Sequence, residues 1–434
     1  MSATDAVSVF SEGTFEEQIL ELVNYLARSL PEDQRSTYVQ PFQDILTTQE
    51  GQKPLEEDEE RRRKAIVTVL GEVKGFGEGS EREIEGFFNL LLSHVLTLLP
   101  LDEPSTKEQL TTLLQTISTA DAQPSLKYRI LSNLFNTLPR RSGLRLLVHQ
   151  TLVELISAND ELDHLAVPIA EVEKWLSEWE VSPEEKSSFF KHLVDIYSKS
   201  GDRDLAYQYQ FSYVRSLPAS SPSAEPAAVE LIASALRLPN IIEFDPLFRL
   251  DAVVAANKHE LFALLQIFLN DGLEEYKAWE AAHGAALEKY NLDQAQLERK
   301  IRLLSLATLG FQNIGRDLPY SAVASALQVE ESQVERWVID GIRAGLISGK
   351  ISQTAHTLHI VRATPRTFER EQWEALEKRL VAWKSGLAGI LEVITAAKKK
   401  NTPPAPAAAV AAEPVAATTN GVDVPVPQAQ EAAA

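Results

Sequence analysis

Apolar residues recur at helical spacing through most of the first 290 positions, and a proline or a cap signal cuts the pattern every 10 to 18 residues. Phe15, Ile19, Leu22, Val23, Leu26 and Leu30 share one face, and Thr14 with Glu17 has the spacing of a capping box. Further amphipathic helices are expected at 87–99, 107–118, 126–138, 143–158, 168–180, 183–199, 202–216, 226–236, 246–255, 260–270 and 272–283. Pro100, Pro124, Pro139, Pro168, Pro183, Pro218, Pro239 and Pro246 stand at their junctions, where proline opens a first turn or ends the preceding helix. Helices this short cannot bury their stripes alone. The economical fold is mostly α, a right-handed α-helical hairpin solenoid, and the lack of a strict repeat period implies a diverged array.

Composition narrows the chemistry. The 434 residues contain no cysteine, which removes disulfides, thiolate zinc sites, cysteine nucleophiles and iron–sulfur clusters and favours a reducing compartment. A net charge of −20 repels phosphate on average, so nucleic-acid binding would need a local basic patch. The first 14 residues lack the basic and apolar regions of a secretory signal, and the apolar run 87–101 is short of a membrane span. Both points suggest a cytoplasmic chain without a membrane partner. Residues 1–48 read as an N-terminal helical segment and 49–85 as a charged, Gly-rich insertion, partly helical and partly flexible. In it, acids 56–60 abut bases 61–64, spaced for i,i+4 pairs along a solvated helix face, and Gly71, Gly75, Gly77 and Gly79 interrupt the pattern. The solenoid occupies 86–296. Residues 401–434 hold twelve Ala, six Pro and no aromatic residue, the composition of a disordered tail.

The character changes near position 297. Segment 300–313 reads as a helix, 319–327 as a second and 331–344 as a third, with Val334, Val338 and Ile342 on one face and Trp337 beside them. Gly345 supplies a left-handed stop, and strands at 346–351 and 357–361 flank a polar turn. Three helices followed by a β-hairpin is the order of a winged helix, placed at 297–363. Its third helix does not suit a DNA groove: residues 331–345 carry two basic and three acidic side chains, and 300–362 only seven against five. A protein-docking winged helix fits better.

No catalytic constellation is present. The glycines at 71–79 match neither a P-loop nor a dinucleotide loop, His356 and His359 lie across a surface turn with no carboxylate cluster, and no cofactor or metal is implied. After a Thr364–Pro365 break, Trp373, Leu376, Leu380, Trp383, Leu387, Ile390 and Ile394 recur at alternating intervals of three and four, a heptad seam on an amphipathic helix at 364–400. The seam either packs against its own winged helix or meets helices of partner subunits. Lys398, Lys399 and Lys400 suit the negative end of the helix dipole.

Helical hairpins, a winged helix and a long terminal helix resemble the PCI-domain family, a scaffold module of multisubunit complexes. The segments LSNLFN (131–136), VEKWLSEW (172–179), LPNIIEFD (238–245), KIRLL (300–304), VERWVIDGIRAGLISGKISQT (334–354) and RTFEREQWEALEKRLVAW (366–383) resemble, in order, the subunit M branch belonging to eukaryotic translation initiation factor 3. The resemblance covers about residues 14–395. It implies a non-catalytic scaffold subunit that supports pre-initiation complex assembly and mRNA recruitment on the small ribosomal subunit. It also implies that Val334, Trp337, Val338 and Ile342 form the winged-helix core, that the wing strands pair edge to edge with neighbouring PCI subunits, and that the seam joins a bundle of PCI and MPN subunit helices. The alternatives are a PCI scaffold of the COP9 signalosome or proteasome lid, and a direct RNA-binding winged helix. The resemblance assigns no role to 49–85 or 401–434.

Overall fold

The helices start where the sequence offers a cap. Thr14 opens α1 (Phe15–Ala27) with the expected capping box: the Thr14 amide donates to Glu17 Oε2 at 2.9 Å, and the Glu17 amide returns the bond to Thr14 Oγ1. Ser80 and Ser182 do the same for α4 (Glu81–Leu98) and α9 (Pro183–Ser200). Prolines occupy the first turns of α5 (Pro104–Thr119) and α6 (Pro124–Thr137), where their missing N–H costs nothing. The structure, a computed structural model, describes residues 13–47, 53–101, 103–165, 167–218, 220–367 and 370–400. The 401–434 tail lies outside them. Residues up to Thr367 form one unit, and the helix after it belongs to a second.

In the first unit, α1 and α4–α6 are joined by α2 (Glu32–Leu46), α3 (Glu59–Glu72) and α7 (Leu144–Ala158) around one apolar core. Neither α2 nor a folded α3 is evident from hydrophobic periodicity. Helix α2 buries only Phe42 and Leu46 and contains Pro41, so its stripe is thin. The charged, Gly-rich interval is packed rather than loose. Phe76 enters the core, its carbonyl accepts from Tyr25 Oη at 2.6 Å, and Gly77 takes φ +70° against the same ring. The basic run is also more than a solvated face with i,i+4 pairs. Arg63 does pair with Glu59, but its Nε also donates to Leu98 O at 2.8 Å, and Arg61 donates to the carbonyls of Ile45 and Thr47 at 2.9 and 3.0 Å.

Helix α7 is a shared wall. Its Leu144 and Val148 face the first core, and Leu146 and Val153 face a second core with α8 (Ile169–Glu178), α9 and α10 (Arg203–Ser216). A third core extends from Val214 of α10 through α11 (Ala224–Arg237), α12 (Asp245–Phe248), α13 (Asp251–Ala255), α14 (Glu260–Asn270) and α15 (Leu273–Lys289) to α16 (Gln294–Gln312). The helix expected at 246–255 is thus two short ones. The helix expected to end at 283 runs on to Lys289 through a non-helical His283.

The winged helix follows as β1 (Asp317–Pro319), α17 (Tyr320–Leu327), α18 (Val334–Arg343), β2 (Ile347–Ser352) and β3 (Thr357–Ala363). The sheet order is β1-β3-β2, antiparallel throughout. Strand β1 is too short, and too close to Pro319, to show alternation in sequence. Lys300 of α16 ties this domain to the solenoid. It is 2% exposed, and its ammonium donates to Ala235 O and Leu236 O at 2.7 and 3.1 Å, closing the C-terminus of α11. Burial pushes its pKa down to about 7, which the two accepting carbonyls oppose.

One buried group makes stability depend on pH. His149 of α7 is enclosed by Phe135, Trp175, Trp179 and Phe189, with ring centroids 5.6–6.3 Å away, and neither ring nitrogen has a hydrogen-bond partner. Burial lowers its pKa to about 4, so the unfolded chain binds more protons below the ordinary value of 6.5. Stability is fully present above that value and is lost as pH falls toward 4, by up to about 3 kcal/mol from this residue. His149→Phe is expected to flatten the pH dependence of urea midpoints between pH 6.5 and 4; an unchanged slope would assign it to other groups.

Candidate docking surfaces

Among the described residues, most exposed large apolar side chains lie on the winged helix and the terminal helix. In the winged helix, Leu306, Leu318, Val323, Leu327, Leu358 and Ile360 meet Val334 and Val338, which are both 0% exposed. Trp337 is half-buried. It touches this core and a small junction core of Leu303, Ala307 and Leu346, with the Arg302 guanidinium 5.5 Å from its ring. Ile342 departs from the expected core role, being 37% exposed. The core-facing position is taken by Gly341, where a Cβ would stand 3.0 Å from Leu306 Cδ2; the missing side chain lets α18 approach α16. Helix periodicity hides this, because a glycine contributes nothing to an apolar count.

Ile339 is 43% exposed, so α18 presents two isoleucines on the face a DNA reader would fill with donors. Beside it, Glu335, Ile339, Ile351, Ser352, Gln353 and Thr354 line an open groove of ≈ 510 Å³. Glu335 is fixed there by Tyr320 Oη at 3.2 Å and Gln353 Nε2 at 2.8 Å. Among the described residues up to Thr367, the exposed large apolar side chains are Phe248, Val254, Ile339, Ile342 and Val361, and three of the five lie on the winged helix. Strand β2 is an edge, with its outer backbone groups unpaired in the sheet.

The wing is bulged. Ser348 lies opposite Arg362 and Gly349 opposite Ile360, which leaves Val361 as the extra residue on β3. A Cβ at Gly349 would stand only 2.3 Å from His359 O. The glycine in a strand pattern was the sequence signal for this irregularity. His356 occupies the turn at φ +47°, and His359 Nδ1 pairs with Asp317 Oδ1 at 2.7 Å. The two histidines do not form a metal pair, and no group of three or more His, Cys, Asp or Glu able to hold a metal occurs among the described residues.

The terminal helix α19 (Arg370–Lys400) carries the seam intact over 31 residues. Its Trp373, Leu376, Leu380, Trp383, Leu387, Ile390 and Ile394 are 39–67% exposed. Around the first half of the seam stand Glu374, Glu377, Lys378, Arg379 and Lys384; from Ser385 to Ala397 the one charged residue is Glu392. Val381 is exposed beside the first half and Leu391 and Val393 beside the second, so the apolar arc is wider in the C-terminal half. Residues 376–397 are long and apolar enough to cross a membrane by length and composition, a better match to that test than 87–101.

Comparison with known proteins adds the family. The PCI domain model matches residues 280–362, and the model described as eIF3 subunit M, C-terminal helix matches 366–394, spanning the whole seam. The chain is 32% identical over 410 residues to the eukaryotic translation initiation factor 3 subunit M of Aspergillus terreus, covering 91% of this chain and 88% of that protein. It belongs to the eukaryotic translation initiation factor 3 subunit M family. The Aspergillus oryzae member is also 32% identical, with 90% and 86% covered. The Phaeosphaeria nodorum member reaches 37% over 281 residues, and that alignment spans 63% of this chain and 64% of the relative. The family model begins at Arg366, whose guanidinium donates to Leu304 O at 2.9 Å and Ser305 Oγ at 3.2 Å, and also to Asp271 O. Burial lowers its pKa to about 10.

Gly349→Ala is expected to break the wing register and lower stability by about 2 kcal/mol, a backbone clash rather than a cavity. Hydrogen exchange should show faster exchange in β2 and β3; native protection there would mean that the bulge tolerates a side chain.

Proposed function

We propose that the chain is a non-catalytic scaffold subunit of the translation initiation factor 3 complex, acting in the cytoplasm. It supports pre-initiation complex assembly and mRNA recruitment on the small ribosomal subunit by shaping the complex. The observation that carries this reading is the heptad seam: seven large apolar side chains, solvent-exposed, on a helix that the family model covers from 366 to 394. Burying such side chains stabilises by roughly 1.5–3 kcal/mol each relative to exposure, a strong drive toward partner helices. The two tryptophans belong to the class enriched at interface hot spots.

The narrow first half of the seam suits one neighbouring helix, and the wider second half suits enclosure by several, as in a bundle with helices of PCI and MPN subunits. Regular heptad spacing, with charges flanking its first half, favours partner helices over lipid. The second surface is the winged helix, where the free β2 edge and the adjoining Ile339–Ile351 groove suit edge pairing with a neighbouring PCI subunit. The isoleucines on α18 favour protein over DNA as its occupant.

Replacing Leu380 and Leu387 together by Asp is expected to release the chain from its complex while leaving circular dichroism of the solenoid native. Affinity purification with partner identification reads the release, and circular dichroism of the purified variant reads the fold. Normal co-purification of the double variant would refute the seam as the docking surface, and recovery of signalosome or proteasome-lid subunits in place of initiation factors would refute the complex.

A further inference from the structure

Positive charge in this acidic chain is unevenly spent. Its two longest stretches without Asp or Glu are 122–153 and 341–368. In the first, three of the five cations are consumed internally: Lys127 donates to Ser118 O at 2.8 Å, Arg129 pairs with Glu81 at 2.8 Å, and Arg145 donates to Leu138 O at 2.7 Å, while Arg140 and Arg141 are exposed at the turn before α7. In the second, only Arg366 is partly buried, and Arg343 on α18 is exposed. Lys350 and Arg362 stand exposed on the winged-helix sheet, and Arg316 stands exposed at the entry to β1. None of these three takes an ion pair among the described residues.

The register puts Lys350 and Arg362 on one face, whereas Arg316 precedes the paired residues of β1. Leu358 and Ile360 point into the core, so their neighbours point out. On that outer face Lys350 lies opposite His359 and Ser348 opposite Arg362. The bulge at Val361 keeps Val361 and Arg362 both solvent-exposed, a re-aiming that an unbroken strand does not provide. The face carries one acid, Asp317, which His359 engages at 2.7 Å. Summing charge over the whole winged helix conceals this arrangement, because the acids Glu331, Glu335 and Asp340 belong to the helical side.

We propose that the outer face of this three-stranded sheet binds the phosphate backbone of RNA through Lys350 and Arg362. Charge complementarity identifies the partner as a polyanion, and the makeup of the face favours RNA over an acidic protein segment. A protein interface needs an apolar centre, and the one large aliphatic side chain exposed here is Val361. Beside it, Ser348, Ser352, Thr357 and the two cations are hydrogen-bond donors. The strand residues include no Phe, Tyr or Trp on which bases could stack, and the His359 ring is engaged by Asp317, so contact is to the backbone and carries little sequence preference. Salt screens charge within about 8 Å at physiological ionic strength, so the net −20 does not cancel a patch at contact range. The inference rests on the sheet alone and does not depend on membership of the complex.

The test measures binding of the purified full chain to a fluorescent RNA hairpin between about 50 and 200 mM salt. Two phosphate contacts give a slope of log affinity against log salt of about −1.4 to −1.8. The Lys350→Glu and Arg362→Glu double variant should bind at least tenfold more weakly with a slope near zero, whereas Arg336→Glu with Arg343→Glu on α18 should leave the slope unchanged. If charge reversal disturbs the sheet, Lys350→Gln with Arg362→Gln reads the same slope. The proposal is overturned by no salt-dependent binding at 50 mM, by equal slopes for the sheet variant and the parent, or by displacement of RNA by poly-glutamate at equal charge concentration, which would make an acidic protein segment the partner.

Discussion

A helix of three or four turns ends in four carbonyl groups without an amide partner, and a stack of short helices multiplies those ends. In this chain, cations from neighbouring segments close many of them. Arg61 closes α2, Arg63 reaches the last carbonyl of α4, and Lys127, Arg145, Lys300 and Arg302 reach carbonyls at the C-terminal ends of α5, α6, α11 and α17. Each contact satisfies an otherwise open acceptor and places positive charge at the negative end of a helix dipole. The solenoid therefore holds together through its ends as well as its apolar faces. Lys300 shows the cost of the device: a buried ammonium is tolerable because two carbonyls receive it.

This use of arginine and lysine changes the meaning of the composition. With 42 basic and 62 acidic residues, a deficit is already present, and every cation aimed inward at a carbonyl is one fewer answering an acid outside. The surface is left acidic, apart from places where cations have no carbonyl to serve. Such a surface resists non-specific attraction to nucleic acid, so any polyanion contact must be local.

Much of the architecture was legible from residue spacing. The capping box at Thr14 and Glu17, the winged-helix order after 297 and the seam from Trp373 to Ile394 each rest on a local rule that the structure applies locally. The losses have physical reasons. Helix α2 buries two large residues and so carries almost no periodic signal, and β1 is shorter than the alternation that reveals strands. Arg61 and Arg63 look like solvated charges in sequence because their carbonyl partners are 14 to 35 residues away. Ile342 looks like core because it follows Val338 by four, yet the buried turn is completed by Gly341, whose contribution is the absence of a side chain.

The two-faced character of α7 has a mechanical consequence. Residues alternating along this one helix belong to different cores, and Val214 places α10 in the third core while Tyr209 serves the second. A load applied at the first hairpins cannot be absorbed by sliding one layer over the next, since sliding would pull the same helix out of both cores at once. The solenoid is thus a beam without shear planes at α7 and α10, able to pass a push or a twist along its length toward the winged helix.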